Sequence, residues 1–253
     1  MPRGRVIKTV LQIVAILVVL YLAVVAMTWF RQRSILYFPA HDAPATGLAP
    51  WSDGSVTIGF CRETPQARAI WLMLHGNAGQ AADRDYVLRR MSGQDSLYVL
   101  EYPGYGARAG SPSRESLDRA ASEAYRLLRA RHPHTPVCVL GESIGCGPAC
   151  ALAGERIAPD KIVLAVAFDI LANVGAEHFP WLPVRLLLRD NWDNAAALKG
   201  YKGPVEIYGA RDDTIIPIKH ARALAKEVPG ARFIEIPGGH NDWAEQEQVK
   251  IER

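Results

Sequence analysis

The stretch VCVLGESIGCGPAC, residues 137–150, decides how this chain is read. Val137 to Leu140 form a short apolar run bounded by a turn signal, the pattern of a buried parallel strand. From Ile144 to Leu152 the sequence has helical character. Ser143 therefore falls at a strand-to-helix corner. A corner that tight leaves no room for a Cβ two residues before or after the serine, and Gly141 and Gly145 occupy those positions. The pattern G-x-S-x-G predicts a strained serine whose Oγ is held out of the fold. Taken alone, a Gly/Ser turn of this kind is common, so the surrounding sequence has to carry the reading.

The chain has 253 residues, enough for one full core, and its net charge of +3 does not point to nucleic acid. No basic stripe interleaved with aromatics occurs, and no nucleic-acid partner is expected. Cys61, Cys138, Cys146 and Cys150 lack metal-ligand spacing and read as small apolar filler. From Thr9 to Phe30 there is no charged residue. As a helix this run spans about 33 Å, matching a hydrocarbon core of about 30 Å. The run is long for a cleaved leader, and Trp29 sits where an interfacial anchor would. The reading is a transmembrane anchor at 9–30, with a cytoplasmic N-terminus at 1–8. Arg3, Arg5 and Lys8 outnumber Arg31 and Arg33, which predicts a single-pass protein of the cell (inner) membrane with its main domain on the non-cytoplasmic side.

A linker is expected at 31–54 and the main domain at 55–253. Strand-like runs at 55–61, within 69–80 before its His-Gly-Asn, within 96–106 before its Tyr-Pro-Gly turn, and at 137–140, 161–168, 204–210 and 231–237 alternate with helical segments. These include a stretch ending near Arg90, an amphipathic helix capped by Ser113, and a short helix from Asn241. That alternation predicts an α/β architecture with a doubly wound, mostly parallel sheet. Ligands bind at the carboxyl ends of such strands, and the loops there carry His75–Gly79, Ser143, Asp212/Asp213 and His240.

A nucleophilic serine needs a base, and the base needs an acid to orient it. His240 follows two glycines at the end of the last strand, and Asp212 and Asp213 follow the strand before it. An oxyanion needs two backbone N–H donors. The residue after the serine, Ile144, supplies one, and Asn77, in a loop loosened by Gly76 and Gly79, supplies the other. Pro148 lies early in the helix after Ser143 and predicts a distorted first turn. His75 is expected to pack under the Asn77 loop, and Glu142 to tip its strand. His132 and His134 read as solvated loop residues.

With these residues in place, the chain resembles the α/β-hydrolase superfamily, and within it the membrane-tethered serine hydrolases of the α/β-hydrolase-domain group, with a serine aminopeptidase-like domain. The resemblance rests on QRSILYFP (32–39), LHGNAG (74–79), EYPGYG (101–106), GESIG (141–145), PWLPV (180–184), DDTIIP (212–217) and PGGHND (237–242). It implies the α/β-hydrolase fold, a triad of Ser143, an aspartate and His240, and no metal or organic cofactor. Asp213, four residues before Pro217 and nine after Pro204, stands where similar chains carry the triad acid, while Asp212 stays open as the alternative. The resemblance also implies hydrolysis of an ester or thioester of a small-molecule acyl substrate, of which a lipid-derived one is a form. A peptidase or amidase on the same triad, or a non-catalytic tethered binding protein, are the competing readings. The insert at 169–199 is expected to be a small cap. Its Phe179 and Trp181, set among Pro180 and Pro183, are expected to line the pocket mouth and favour short to medium acyl groups.

Overall fold

The computed structural model describes residues 3–42 and 47–253. Residues 43–46 of the expected linker, and the first two residues, lie outside that description. Helix α1 (Arg3–Leu36) opens the chain, followed by the short strand β1 (Phe38–Pro39), β2 (Ala49–Asp53), β3 (Val56–Arg62), β4 (Ile70–Leu74) and the short β5 (Ala78–Gly79). A 3₁₀ helix at Ala81–Arg90 leads to β6 (Ser96–Leu100), α2 (Arg114–Arg131) and β7 (Val137–Glu142). After Ser143 come α3 (Cys146–Ala151), β8 (Ile162–Ala165), α4 (Leu171–His178), α5 (Val184–Leu187) and α6 (Asn194–Ala197). The chain continues through β9 (Val205–Ala210), α7 (Ile218–Glu227) and β10 (Arg232–Ile236).

Among the described residues, eight strands form one sheet in the order β10-β9-β8-β7-β4-β6-β3-β2. All neighbours are parallel except β2–β3 and β3–β6. Alternation along β4 places Ile70, Leu72 and Leu74 in one core and Trp71 and Met73 in the other, so both faces of the sheet are covered. β7 sits at the centre, and its carboxyl end delivers Ser143 to the middle of the sheet's edge.

Several boundaries differ from the sequence reading. The expected linker contributes β2 to the sheet; only Trp51 of that strand is buried, which leaves too little apolar alternation to read. The stretch before Arg90 is 3₁₀ rather than α-helical. The segment from Asn241 holds a single 3₁₀ turn at Trp243–Glu245.

α1 is 34 residues long and continues past the charge-free run. Its most apolar window has mean hydropathy 2.9 and none of it is buried, so the helix is long and apolar enough to cross a membrane. Its last two turns are fastened to the domain. Arg33 makes paired hydrogen bonds to the buried Asp190 carboxylate at 2.9 and 3.1 Å, and Gln32 accepts from the Arg189 N–H at 2.7 Å. The Arg189 guanidinium lies over the Trp29 ring at 5.2 Å.

Candidate active site

Ser143 has φ +54°, in the left-handed region that an L-residue occupies only under strain. The strain is held by packing on both sides. A Cβ on Gly141 would stand 2.8 Å from the Ala149 Cβ and from the Cys146 Cα, and one on Gly145 would collide with the Leu74 carbonyl. The corner turns through a 3₁₀ segment, Ser143–Gly145, before α3 begins at Cys146. Pro148 therefore falls in the first turn of α3, where its missing N–H has no intrahelical acceptor to lose.

The structure brings Ser143, His240 and Asp213 together. His240 Nε2 is 2.9 Å from Ser143 Oγ, and His240 Nδ1 is 2.7 Å from Asp213 Oδ2. The other oxygen of Asp213 accepts the backbone N–H groups of Ile215 and Ile216 at 2.8 and 2.7 Å. Asp213 is thus fixed in one orientation and buried. Asp212 is exposed, and its backbone N–H donates to the Gly238 carbonyl. Gly238, at φ +83°, turns the loop that carries His240, and Asp242 braces it by accepting from the Gly239 N–H at 2.9 Å.

The Asn77 loop lies beside the serine: a Cβ on Gly76 would be 3.6 Å from the Ser143 Cβ. Three tethers fix the loop. Tyr102 donates its hydroxyl to the His75 carbonyl at 2.9 Å, Tyr105 to the Asn77 carbonyl at 2.7 Å, and the Asn77 side chain donates to the Leu36 carbonyl at 2.8 Å. The two tyrosines explain the EYPGYG segment, whose role was not readable from sequence. His75 packs beneath the loop, buried and stacked on Tyr102 at 4.3 Å. Burial pushes its pKa down, and its Nδ1–H donates to the Gly76 carbonyl at 2.8 Å.

Glu142 does more than end a strand, which sequence reasoning missed. Its buried carboxylate accepts from the Gly76 N–H (3.1 Å), the Tyr86 hydroxyl (2.6 Å) and the Trp243 indole (2.9 Å). Burial pushes this carboxyl up, but the Arg84 guanidinium and those three donors outweigh it and hold its pKa below the ordinary value. One side chain therefore ties the Asn77 loop to the last loop of the domain. Glu142→Gln is expected to place an amide N–H against one of these donors. The loss is about 1–3 kcal/mol of unfolding free energy, measurable by urea denaturation, with a fall in kcat greater than the rise in KM. An unchanged midpoint would remove this bracing role.

A cavity of about 390 Å³ adjoins Ser143 and Ile144, within the range of small-molecule sites. Its walls come from α4, α5, the Thr214–Ile216 loop and the end of α1. Phe179 lines it. Trp181 does not; it is 54% exposed and its carbonyl accepts from the Tyr21 hydroxyl of α1 at 3.0 Å. Its position among prolines keeps it out of a helix, but docking against α1 turns it away from the cavity. The contribution of α1, through Thr28, Trp29 and Gln32 among others, carried no signal in the sequence beyond apolarity.

α4 is clamped to α7 by His220, whose Nδ1 and Nε2 lie 2.9 and 3.0 Å from the Asp169 and Glu177 carboxylates. Both nitrogens can donate only in the imidazolium. The Asp169 hydrogen bond, against burial and with help from Glu177, raises the His220 pKa. Lys219 also pairs with Glu177, at 2.9 Å. The clamp's contribution is complete below about pH 6.5, the ordinary histidine value. It is lost as pH rises through the raised folded value. The unfolding free-energy difference between the wild type and His220→Gln is therefore expected to shrink from pH 6 to pH 9. A difference that stays flat or grows would contradict the clamp.

Among the described residues, no group of three or more His, Cys, Asp or Glu is placed to hold a metal ion. No family model matches the chain. An uncharacterized protein of Mycobacterium tuberculosis (strain ATCC 25618 / H37Rv) is 32% identical over 249 residues, 92% of this chain and 88% of the relative. The lysophosphatidylserine lipase ABHD12 of Macaca fascicularis is 26% identical over 186 residues, covering 66% of this chain and 47% of the lipase. The chain thus spans about half the length of that lipase. An esterase of Pyrococcus furiosus, Pf2001, superposes with a TM-score of 0.61 over 81% of this chain and 90% of that chain, at 14% identity. Est1E of Butyrivibrio proteoclasticus, solved with ferulic acid bound, gives 0.60 over 72% and 85%, at 16% identity. The chain belongs to the α/β-hydrolase superfamily. In that fold the three side chains in contact follow the chain order Ser143, Asp213, His240, each past the carboxyl end of a strand of the parallel part of the sheet. Lipases and esterases are thus among the proteins to which it is similar.

Proposed function

We propose that the chain is a membrane-anchored serine hydrolase that cleaves ester or thioester bonds of small to medium acyl substrates through an acyl-enzyme. The observation that carries this reading is His240, held by Asp213 and in contact with Ser143 Oγ, beside an apolar cavity. Ser143 Oγ attacks the acyl carbonyl while its proton passes to His240 Nε2, and Asp213 stabilises the resulting imidazolium. The N–H groups of Ile144 and Asn77 receive the charge on the carbonyl oxygen. The imidazolium then protonates the departing alkoxide or thiolate. In the second half, water gives a proton to His240 and attacks the acyl carbon, releasing the acid and restoring Ser143. No metal or organic cofactor enters this scheme.

The cavity favours an acyl ester over a peptide. Its described lining carries no carboxylate that would hold an α-ammonium group, and its walls are mostly leucine, isoleucine, valine and aromatic side chains, with Thr28, Gln32, Asn77, His178 and Thr214 as polar members. The likeness to a lysophosphatidylserine lipase points the same way, toward the ester of a single acyl chain. A series of p-nitrophenyl esters set against aminoacyl amides tests the reading. Hydrolysis of the esters, peaking at short to medium chain length, is expected; amides cleaved faster than every ester would make it a peptidase.

In this arrangement residues 9–30 cross the cell membrane, residues 1–8 lie on the cytoplasmic side, and the hydrolase domain from β2 onward lies on the other. A reporter that is active only in the cytoplasm, joined after residue 50, is expected to stay dark.

A further inference from the structure

We propose that the cap tip, Phe179 to Leu188, is itself seated in the bilayer beside α1, and that an acyl chain passes from the lipid into the cavity between these two elements. The inference rests on the membrane-anchored reading and adds a second membrane element that is absent from it. Depth supplies the first argument. Tyr21 lies nine residues before Phe30, the end of the charge-free run, so it sits about 13 Å along the helix inside that end. Its hydroxyl bonds the Trp181 carbonyl. If α1 spans the membrane, the cap tip is pinned well below the level of Trp29 and Arg31.

The chemistry of the tip fits that level. Trp181 is 54% exposed and Leu186 is 85% exposed, an apolar pair that water would penalise and acyl chains would not. Arg185 is the one charge between Phe179 and Leu188, and its Nε is drawn back to Asn173 at 3.0 Å. Arg189, the next, lies on Trp29, where a cation and an indole meet at a membrane interface.

Backbone bonding gives an independent argument. Irregular backbone at membrane depth must satisfy its own polar groups. Pro180 and Pro183 have no N–H to satisfy. The N–H groups of Phe179, Leu182, Val184, Leu186, Leu187 and Leu188 donate to backbone carbonyls, which leaves those of Trp181 and Arg185. The Trp181 carbonyl, which has no helical partner, takes its bond from Tyr21. Finally, the cavity is walled by both elements: Thr28 and Trp29 from within the charge-free run, and Phe179 and Leu182 from the cap. A chain leaving the bilayer between them reaches Ser143 without crossing water.

The test uses the full chain in vesicles of phosphatidylcholine and phosphatidylglycerol. The four native cysteines are buried, so a nitroxide reagent labels a single introduced thiol. Leu186→Cys is compared with Val14→Cys on α1 and Lys226→Cys on α7. Labels at 186 and 14 are expected to be relaxed by oxygen and shielded from a water-soluble nickel complex, with the reverse at 226. A label at 186 that is open to nickel, while 14 is shielded, overturns the inference and leaves the anchor standing. A label at 186 shielded from both reagents, as inside a protein contact, overturns it too. Nickel access at 14 brings down the anchor and the inference together.

A second measurement reads the doorway. The double variant Trp181→Asp, Leu186→Asp is expected to hydrolyse a vesicle-dissolved acyl ester at least tenfold more slowly. Its rate on water-soluble p-nitrophenyl acetate is expected to stay within twofold, because neither side chain lines the cavity. Equal losses on both substrates, or none on the vesicle ester, contradict the doorway. If the wild type cleaves neither ester, the hydrolase reading fails, while the labelling result still decides whether the tip is seated.

Discussion

Ser143→Ala is expected to lower kcat by about 10⁶, leaving the residual rate that oxyanion donors and binding alone supply. The loss is chemical rather than structural. The Oγ makes one hydrogen bond, to His240, and alanine keeps the Cβ that the corner already accommodates at φ +54°. The urea midpoint of the variant is therefore expected to stay close to that of the wild type, or to rise slightly. Retention of more than a few per cent of the hydrolysis of p-nitrophenyl esters by the purified variant would place the nucleophile elsewhere.

Asp213→Asn carries the second largest expected effect, about 10⁴ in kcat. The Ile215 and Ile216 N–H groups bind one oxygen of Asp213, so the asparagine carbonyl would keep those bonds and its NH₂ would face His240. His240 Nδ1 would then accept rather than donate, which puts the ring proton on Nε2. That nitrogen could no longer take the Ser143 proton. Asp212→Asn leaves this geometry alone and is expected to change kcat by less than about threefold, the range of an exposed substitution of up to ~0.5 kcal/mol. A larger loss at 212 than at 213 would reverse the assignment.

Residues that the backbone singles out were the ones legible in the sequence. The glycines around Ser143 mark a collision with the Leu74 carbonyl and with Ala149, and a strand-end aspartate and histidine follow in order. Apolar runs such as Val137–Leu140 identified central strands because both sheet faces are covered. β2 escaped because a single residue, Trp51, is its buried content. Glu142 and the wall made by α1 escaped for a different reason. Their roles depend on partners far along the chain, Trp243 in one case and Arg189 and Asp190 in the other. The prolines around Trp181 exclude a helix, and from sequence that points the residue to the pocket mouth. That constraint holds, but it leaves the direction of the side chain to tertiary contact, and Tyr21 holds the Trp181 backbone against α1.

The central claim, an activated serine at Ser143, is tested most directly by reacting the full chain with a fluorophosphonate and mapping the adduct by mass spectrometry. A single phosphonylated peptide bearing Ser143 is expected. Labelling should slow by orders of magnitude in Asp213→Asn and vanish in Ser143→Ala. An adduct on any other residue, or labelling of Ser143→Ala at the wild-type rate, would contradict the account.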